Sequence, residues 1–148
     1  MAQVGERRVV LFPSTAVAAG TVASTTPLCV SGYTSAIITL NVSAISTGTT
    51  LDVYIQQELP VAGASDKRGD VPTGTSVWND FIHFTQVTTS PGSWVAAVVG
   101  GSNAAGVLKD AQLAAATIVS GPIGSNWRVK YVAVGTQYTF AVTAVLIP

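Results

Sequence analysis

A lone histidine, His83 in "DFIHFTQ", and seven carboxylates are the side chains here that could move a proton. Asp80 lies three positions before His83, and residues three apart on a regular strand point to opposite faces. The two therefore do not read as a general-base couple. Phe81 is expected to share the histidine's face, and His83 reads as a hydrogen-bonded strand residue. The carboxylates are Glu6, Asp52, Glu58, Asp66, Asp70, Asp80 and Asp110, and no two stand at i, i+2 within a strand. A glycosidase-type pair would have to be assembled by tertiary structure. Serines are plentiful, but no G-x-S-x-G elbow places one as a nucleophile. "GGSNAAG" (100–106) lacks both the Lys-Ser/Thr ending of a P-loop and a surrounding βαβ unit. Cys29 is the single cysteine, so no internal disulfide forms, and one Cys with one His does not build a zinc site of the usual kind. Its setting, "PLCVSG", has no basic neighbour or helix start to activate a thiol, so Cys29 is expected to be a small buried apolar residue. These residues point to no reaction, cofactor or metal, and away from an enzyme.

Two other groups could bind without catalysing. Trp78, Trp94 and Trp127 could stack on a sugar if their rings lay coplanar on one exposed face, but they fall in separate strands or strand edges. Packing is the commoner use of large aromatics. "RGD" at Arg68, Gly69 and Asp70 would need an exposed, secreted setting to act in adhesion. The stronger reading is a charged loop tip, with Asp66, Lys67, Arg68 and Asp70 making polar rim contacts, each worth about 0–1 kcal/mol when exposed.

The elements that must carry these residues are strands. Apolar residues make up 48% of the chain, but charged residues only 9%, against roughly 25% in an average soluble domain. The formal net charge is zero, which gives no electrostatic drive toward nucleic acid or an anionic membrane. Low net charge favours association, so much of the surface is expected to meet other protein. β-branched runs punctuated by Gly, Ser, Thr and Pro recur throughout: 7–12, 20–24, 35–43, 51–58, 80–88, 93–99, 112–120, 127–134 and 138–147. Such spacing predicts an all-β fold, an antiparallel β-sandwich or a jelly-roll-like barrel. One domain is expected over 20–148, preceded by residues 1–19 as either an N-terminal arm or the first strand. The apolar run after Arg7 and Arg8 is broken at Pro13, short of the core of a signal peptide. No stretch of 18 apolar residues suggests a membrane span.

Alternation assigns the faces. Ala36, Ile38, Leu40 and Val42 share one side, as do Leu51, Val53 and Ile55, and Tyr138, Phe140, Val142, Ala144 and Leu146. The opposite side of the last strand, including Val145 and Ile147, becomes apolar toward its end. A second apolar face implies a cover, either another sheet or another chain. Two long irregular segments, 59–76 and 100–111, are expected to be loops of functional length, and "AAGVLKDAQLAAA" (104–116) to be loop with at most one helical turn. If residues 1–19 are an arm, Arg7, Arg8, Val9, Val10, Leu11 and Phe12 form a hook for a neighbour's sheet edge. Deleting 1–12 would then leave the sandwich folded.

The run "SGYTSAIITLNVSAISTGTTLDVYIQQELP", followed by "SVWNDFIHFTQV" and "SGPIGSNWRVKYVAVGTQYTFAVTAVLIP", resembles small β-rich head-structure proteins of tailed bacteriophages. The resemblance spans about Ser31 to Pro148. It departs from the family pattern at 59–76, where a charged insertion replaces a short turn. It implies an auxiliary capsid (decoration or cement) protein on the outer shell, made in the host cytoplasm. Its implied partners are the major capsid protein and copies of itself, with a trimer as the expected form, and neither nucleic acid nor membrane. The candidate contact residues are Arg7–Phe12, Lys67, Arg68, Asp70, Val145 and Ile147. A head–tail connector, tail or fibre component, and a secreted carbohydrate-binding or adhesive module, remain the alternatives.

Overall fold

The structure, a computed structural model, describes residues 5–18, 20–46, 50–59, 77–88, 90–100, 113–119, 123–135 and 137–148. The regular elements among them are strands: β1 (Arg7–Val17), β2 (Val22–Ser24), β3 (Leu28–Cys29), β4 (Ser35–Ile45), β5 (Thr50–Leu59), β6 (Val77–His83), β7 (Gly92–Val99), β8 (Thr117–Ile118), β9 (Asn126–Val134) and β10 (Tyr138–Ile147). They form two antiparallel sheets. One has four strands in the order β1-β10-β4-β7; the other has six, β2-β9-β5-β6-β8, with β3 also on β9. The sheets pack face to face as a sandwich and are not closed into a barrel.

The period-2 alternation in the long strands generates this layering directly. Ile38, Leu40, Leu51, Ile55, Phe140 and Leu146 are wholly shielded from solvent, and each comes from the apolar half of its strand. Phe12 stacks on Phe140 with ring centroids 4.6 Å apart, and Tyr131 meets both edge-on. At the other end Phe81 tilts against Trp127 at 4.9 Å. The core therefore runs continuously between the sheets, with aromatic rings joining β1, β9 and β10 at one end and β6 with β9 at the other.

Residues 7–17 form a strand of the sandwich. β1 pairs along β10 from Arg7↔Leu146 to Val17↔Tyr138, with register shifts between Val10 and Phe12 and between Phe12 and Thr15. The first shift inserts one residue, and so the consecutive Leu11 and Phe12 are both buried rather than alternating. An arm that could be removed without loss is incompatible with this placement, because residues 1–12 include two core side chains.

Several other expectations change in detail. Cys29 is exposed on the short β3, with its Sγ 3.3 Å from Ser31 Oγ. Two residues of pairing leave too little strand to cover it. Within 112–120 the strand shrinks to Thr117–Ile118, and residues 113–116 are bend and turn, not helix. Ala116 there holds a left-handed backbone angle, φ 58°. At the end of β7, Gly100 donates its N–H to the Thr34 carbonyl at 2.6 Å, and a Cβ at Gly100 would come within 2.7 Å of that oxygen. Only glycine permits this approach. Residues 60–76 and 101–112, with most of both expected long loops, lie outside the described residues.

Candidate functional site: the two outer faces of the sandwich

Each sheet has one face in the core and one turned outward, and the two outward faces differ in chemistry. The six-stranded sheet carries the polar groups. Asp52, Tyr54, Gln56 and Glu58 alternate outward along β5, opposite Arg128 and Lys130 of β9 and Trp78, Asp80 and His83 of β6. The β5–β6 register shifts between Ile55↔Ile82 and Gln56↔Asp80. The bulge sends both Phe81 and Ile82 into the core and returns Asp80 and His83 to the same outward side. The sequence expectation that these two face opposite ways, with Phe81 beside the histidine, fails at this one inserted residue.

His83 still does not pair with Asp80. Its ring lies stacked on Tyr54, centroids 4.0 Å apart. Nδ1 stands 2.6 Å from the Leu113 carbonyl oxygen, which can only accept, so Nδ1–H donates there. Nε2 lies 2.9 Å from Asp52 Oδ1. The Gln86 amide donates to both Asp52 oxygens, at 3.0 and 2.9 Å. On the other side Asp80 Oδ2 accepts the Leu113 N–H at 3.2 Å, and Asp80 Oδ1 accepts from Gln56 Nε2 at 2.6 Å. Gln56 Oε1 in turn accepts from Arg128 Nε at 2.8 Å, and the guanidinium lies 4.3 Å over the Trp78 ring. The network thus grips both backbone groups of Leu113 and ties residues 113–119 to the sheet.

This arrangement is a clamp. Both His83 nitrogens are occupied, the side chain is buried, and no described hydroxyl or thiol stands within hydrogen-bond reach to serve as a nucleophile. Burial, and next the negative charges of Asp52 and Asp80, push the Tyr54 phenol up to about 12. It stays protonated as an apolar wall beneath the histidine. Among the described residues no three His, Cys, Asp or Glu groups converge to hold a metal.

The four-stranded sheet presents the opposite surface. β4, β7 and β10 contain no Asp, Glu, Lys or Arg at all. Their outward side chains are Val, Ile, Ala, Thr, Ser and Asn, with Val95 at 66%, Val99 at 70% and Ile37 at 42% exposure. Val10 from β1 adds another at 61%. A shallow groove of about 360 Å3 runs over this face, lined by Val10, Ile37, Thr39, Thr143 and Val145, with Arg8 at its margin.

The expected contact residues divide accordingly. Arg7, Arg8 and Val10 are exposed on β1, where Arg8 Nε makes a loose 3.7 Å ion pair with Glu6. Val9 packs partly against the core, while Leu11 and Phe12 belong to it and offer no surface. Val145 and Ile147 are half-buried on the outward side of β10. Lys67, Arg68 and Asp70 lie outside the described residues. The three tryptophans do not share a face: Trp127 is in the core, Trp78 is under Arg128 on one sheet, and Trp94 is on the other. Sequence reasoning missed Asp52 as the histidine's partner, 31 positions away; it placed a strand at 93–99, matching β7, but did not name the exposed Val95 and Val99 among the contact residues.

The fold and its two faces define an antiparallel two-sheet β-sandwich with one polar outer surface and one on which β4, β7 and β10 carry no charge. No family model, curated protein or solved structure matches the chain.

Proposed function

We propose that this chain is a non-enzymatic structural protein of a tailed-phage virion, an auxiliary capsid protein that binds the major capsid lattice and stabilises it. The observation that carries the reading is the outer face of the four-stranded sheet, where three adjacent strands, β10, β4 and β7, offer no charge and several exposed Val and Ile side chains. Burying a charge at a protein contact costs desolvation energy unless it is paired, so a face meant to be covered is best built without charges. A partner in the major capsid protein, repeated over a lattice, would add avidity to a modest contact. The family resemblance in the quoted strand motifs supports the same assignment, with the protein sited on the outer shell.

Copy number in purified particles, read by quantitative mass spectrometry, tests this. Abundance of the same order as the major shell protein is the expected result. A handful to some tens of copies would move the chain to a connector, tail or fibre, and absence from particles would overturn the virion reading. The face itself is tested by Ile37→Asp, which should leave the fold intact and weaken shell binding at least tenfold. Because β4, β7 and β10 carry no charge, binding should weaken little between low and moderate salt.

A further inference from the structure

We infer that two copies of this chain join through the free edge of β7, merging their four-stranded sheets into one of eight strands about a twofold axis. β7 ends its sheet, with no described strand on its other side. Parity settles which groups point outward there. Gly100 gives its N–H to Thr34 of the β4 side, and hydrogen-bonding direction alternates along an antiparallel strand. Gly100, Val98, Ala96 and Trp94 therefore bond toward β4, and Ser93, Val95, Ala97 and Val99 aim their N–H and C=O groups at the open edge.

Natural sheets protect such edges, and among the described strands β7 is the exception. β1, the other edge of the same sheet, has two register shifts, Pro13, and Arg7 and Arg8, all of which discourage edge pairing. The edges of the six-stranded sheet are two or three residues long. β7 has eight residues, pairs with β4 without a bulge, and contains neither proline nor charge. Half-exposed Ile118 lines a groove of about 180 Å3 together with Val95, and Val119 follows it in the chain, so apolar groups flank the open ladder on this rim.

A second copy of the same strand fits this edge for three reasons. An antiparallel register centred on Ala97 sets Val95 opposite Val99 of the other copy, twice, giving cross-strand β-branched pairs on the outward face. It sets Trp94 opposite Gly100, so no second side chain crowds the indole, whose ring lies over Gly92 of its own strand. It brings no like charges together, whereas pairing through β1 would oppose arginines. The area also suffices. A strand of this length spans about 27 Å at ~3.4 Å per residue, and a rim about 20 Å deep includes both sheets. Roughly 500 Å2 per copy, or about 1,000 Å2 in total, lies at the lower limit for a specific dimer. The product is a dimer, where the family resemblance implied a trimer, and the inference does not depend on what the protein decorates.

Sedimentation equilibrium of the purified chain, without shells, tests it. The wild type should be dimeric at micromolar concentrations. Ala97→Pro removes one outward N–H and no internal ladder bond, and should weaken the dimer at least tenfold; Val95→Lys, which places a charge on the edge, should do the same. In a Cys29→Ser background, Ala97→Cys should oxidise to a disulfide-linked dimer, since bonded antiparallel pairs place Cα atoms about 5.5 Å apart, while Ala141→Cys on β10 should not. A wild type that stays monomeric to about 0.5 mM overturns the inference. So does a dimer indifferent to Val95→Lys that fails to cross-link at position 97. If Ala97→Pro lowers the melting temperature substantially, the lysine and cysteine variants decide.

Discussion

Replacing Phe12 by alanine separates a strand of the core from a detachable hook. Phe12 is 8% exposed, stacks on Phe140 at 4.6 Å and meets Tyr131 at 5.3 Å. Phe-to-Ala changes in cores cost about 3–5 kcal/mol, the spread depending on how far the site collapses. Here β1 is an edge strand with a bulge on each side of Phe12, so it can move inward more readily than a central strand. The lower end, about 3 kcal/mol, is therefore expected. For a chain of this length 1 kcal/mol moves the melting midpoint by about 2–4 °C, giving a fall of about 6–12 °C. Urea titration followed by tryptophan fluorescence measures the loss directly, and Phe12→Leu, which keeps most of the apolar volume, should recover at least half of it. A loss below about 1 kcal/mol would mean that the ring is not packed as described, and residues 1–12 would again be candidates for an arm.

The other expectations concern the polar face and the thiol. A double-mutant cycle between His83→Ala and Asp52→Asn should give a coupling of about 1–2 kcal/mol, as for contacting groups in one network; effects additive within about 0.3 kcal/mol would show that the pair is not formed. Above pH 10 stability should decline. Unfolded chains release the Tyr54 proton near 10.0 while the folded chain holds it to about 12, so stability present below the lower value is lost as pH rises through the upper one. Tyr54→Phe should flatten that limb, and an unchanged slope would contradict the assignment; Tyr138, also pushed up by burial and then Asp52, contributes in the same direction. Cys29 should react with one equivalent of a disulfide reagent in the native state, because it is exposed and the Ser31 hydrogen bonds draw its thiol below the usual range; reaction only on unfolding would refute this.

Much of the sandwich was legible because its strongest signal is local. Alternation along 35–43 and 138–147 placed Ile38, Leu40, Phe140 and Leu146 inward, and all four are fully buried. The failures share one physical origin. At Leu11–Phe12 and at Phe81–Ile82 a single extra residue breaks the period of two, turning neighbours to the same side and resetting every face beyond the bulge. Nothing in "RRVVLF" or "NDFIHF" marks where that residue falls. The His83–Asp52 contact was hidden for another reason. It depends on β5 and β6 lying side by side in one particular register, and register is a property of two segments together.

The scarcity of charge acquires its meaning from where the charges are. Among the described residues, all but those near the start of β1 lie on the outward side of the six-stranded sheet, where Asp52, Asp80, Arg128 and their amide partners are held in a hydrogen-bonded network. A uniformly charge-poor surface would merely be poorly soluble. Segregation is different, because one hydrated face can keep the protein dispersed while the other remains free of groups that would have to be stripped of water at a contact. The same segregation leaves β7 with neither charge nor bulge at the sheet edge. Placing one lysine at Val95 would supply the protection that β1 already has, and so the variant that blocks edge pairing should also be the more soluble protein.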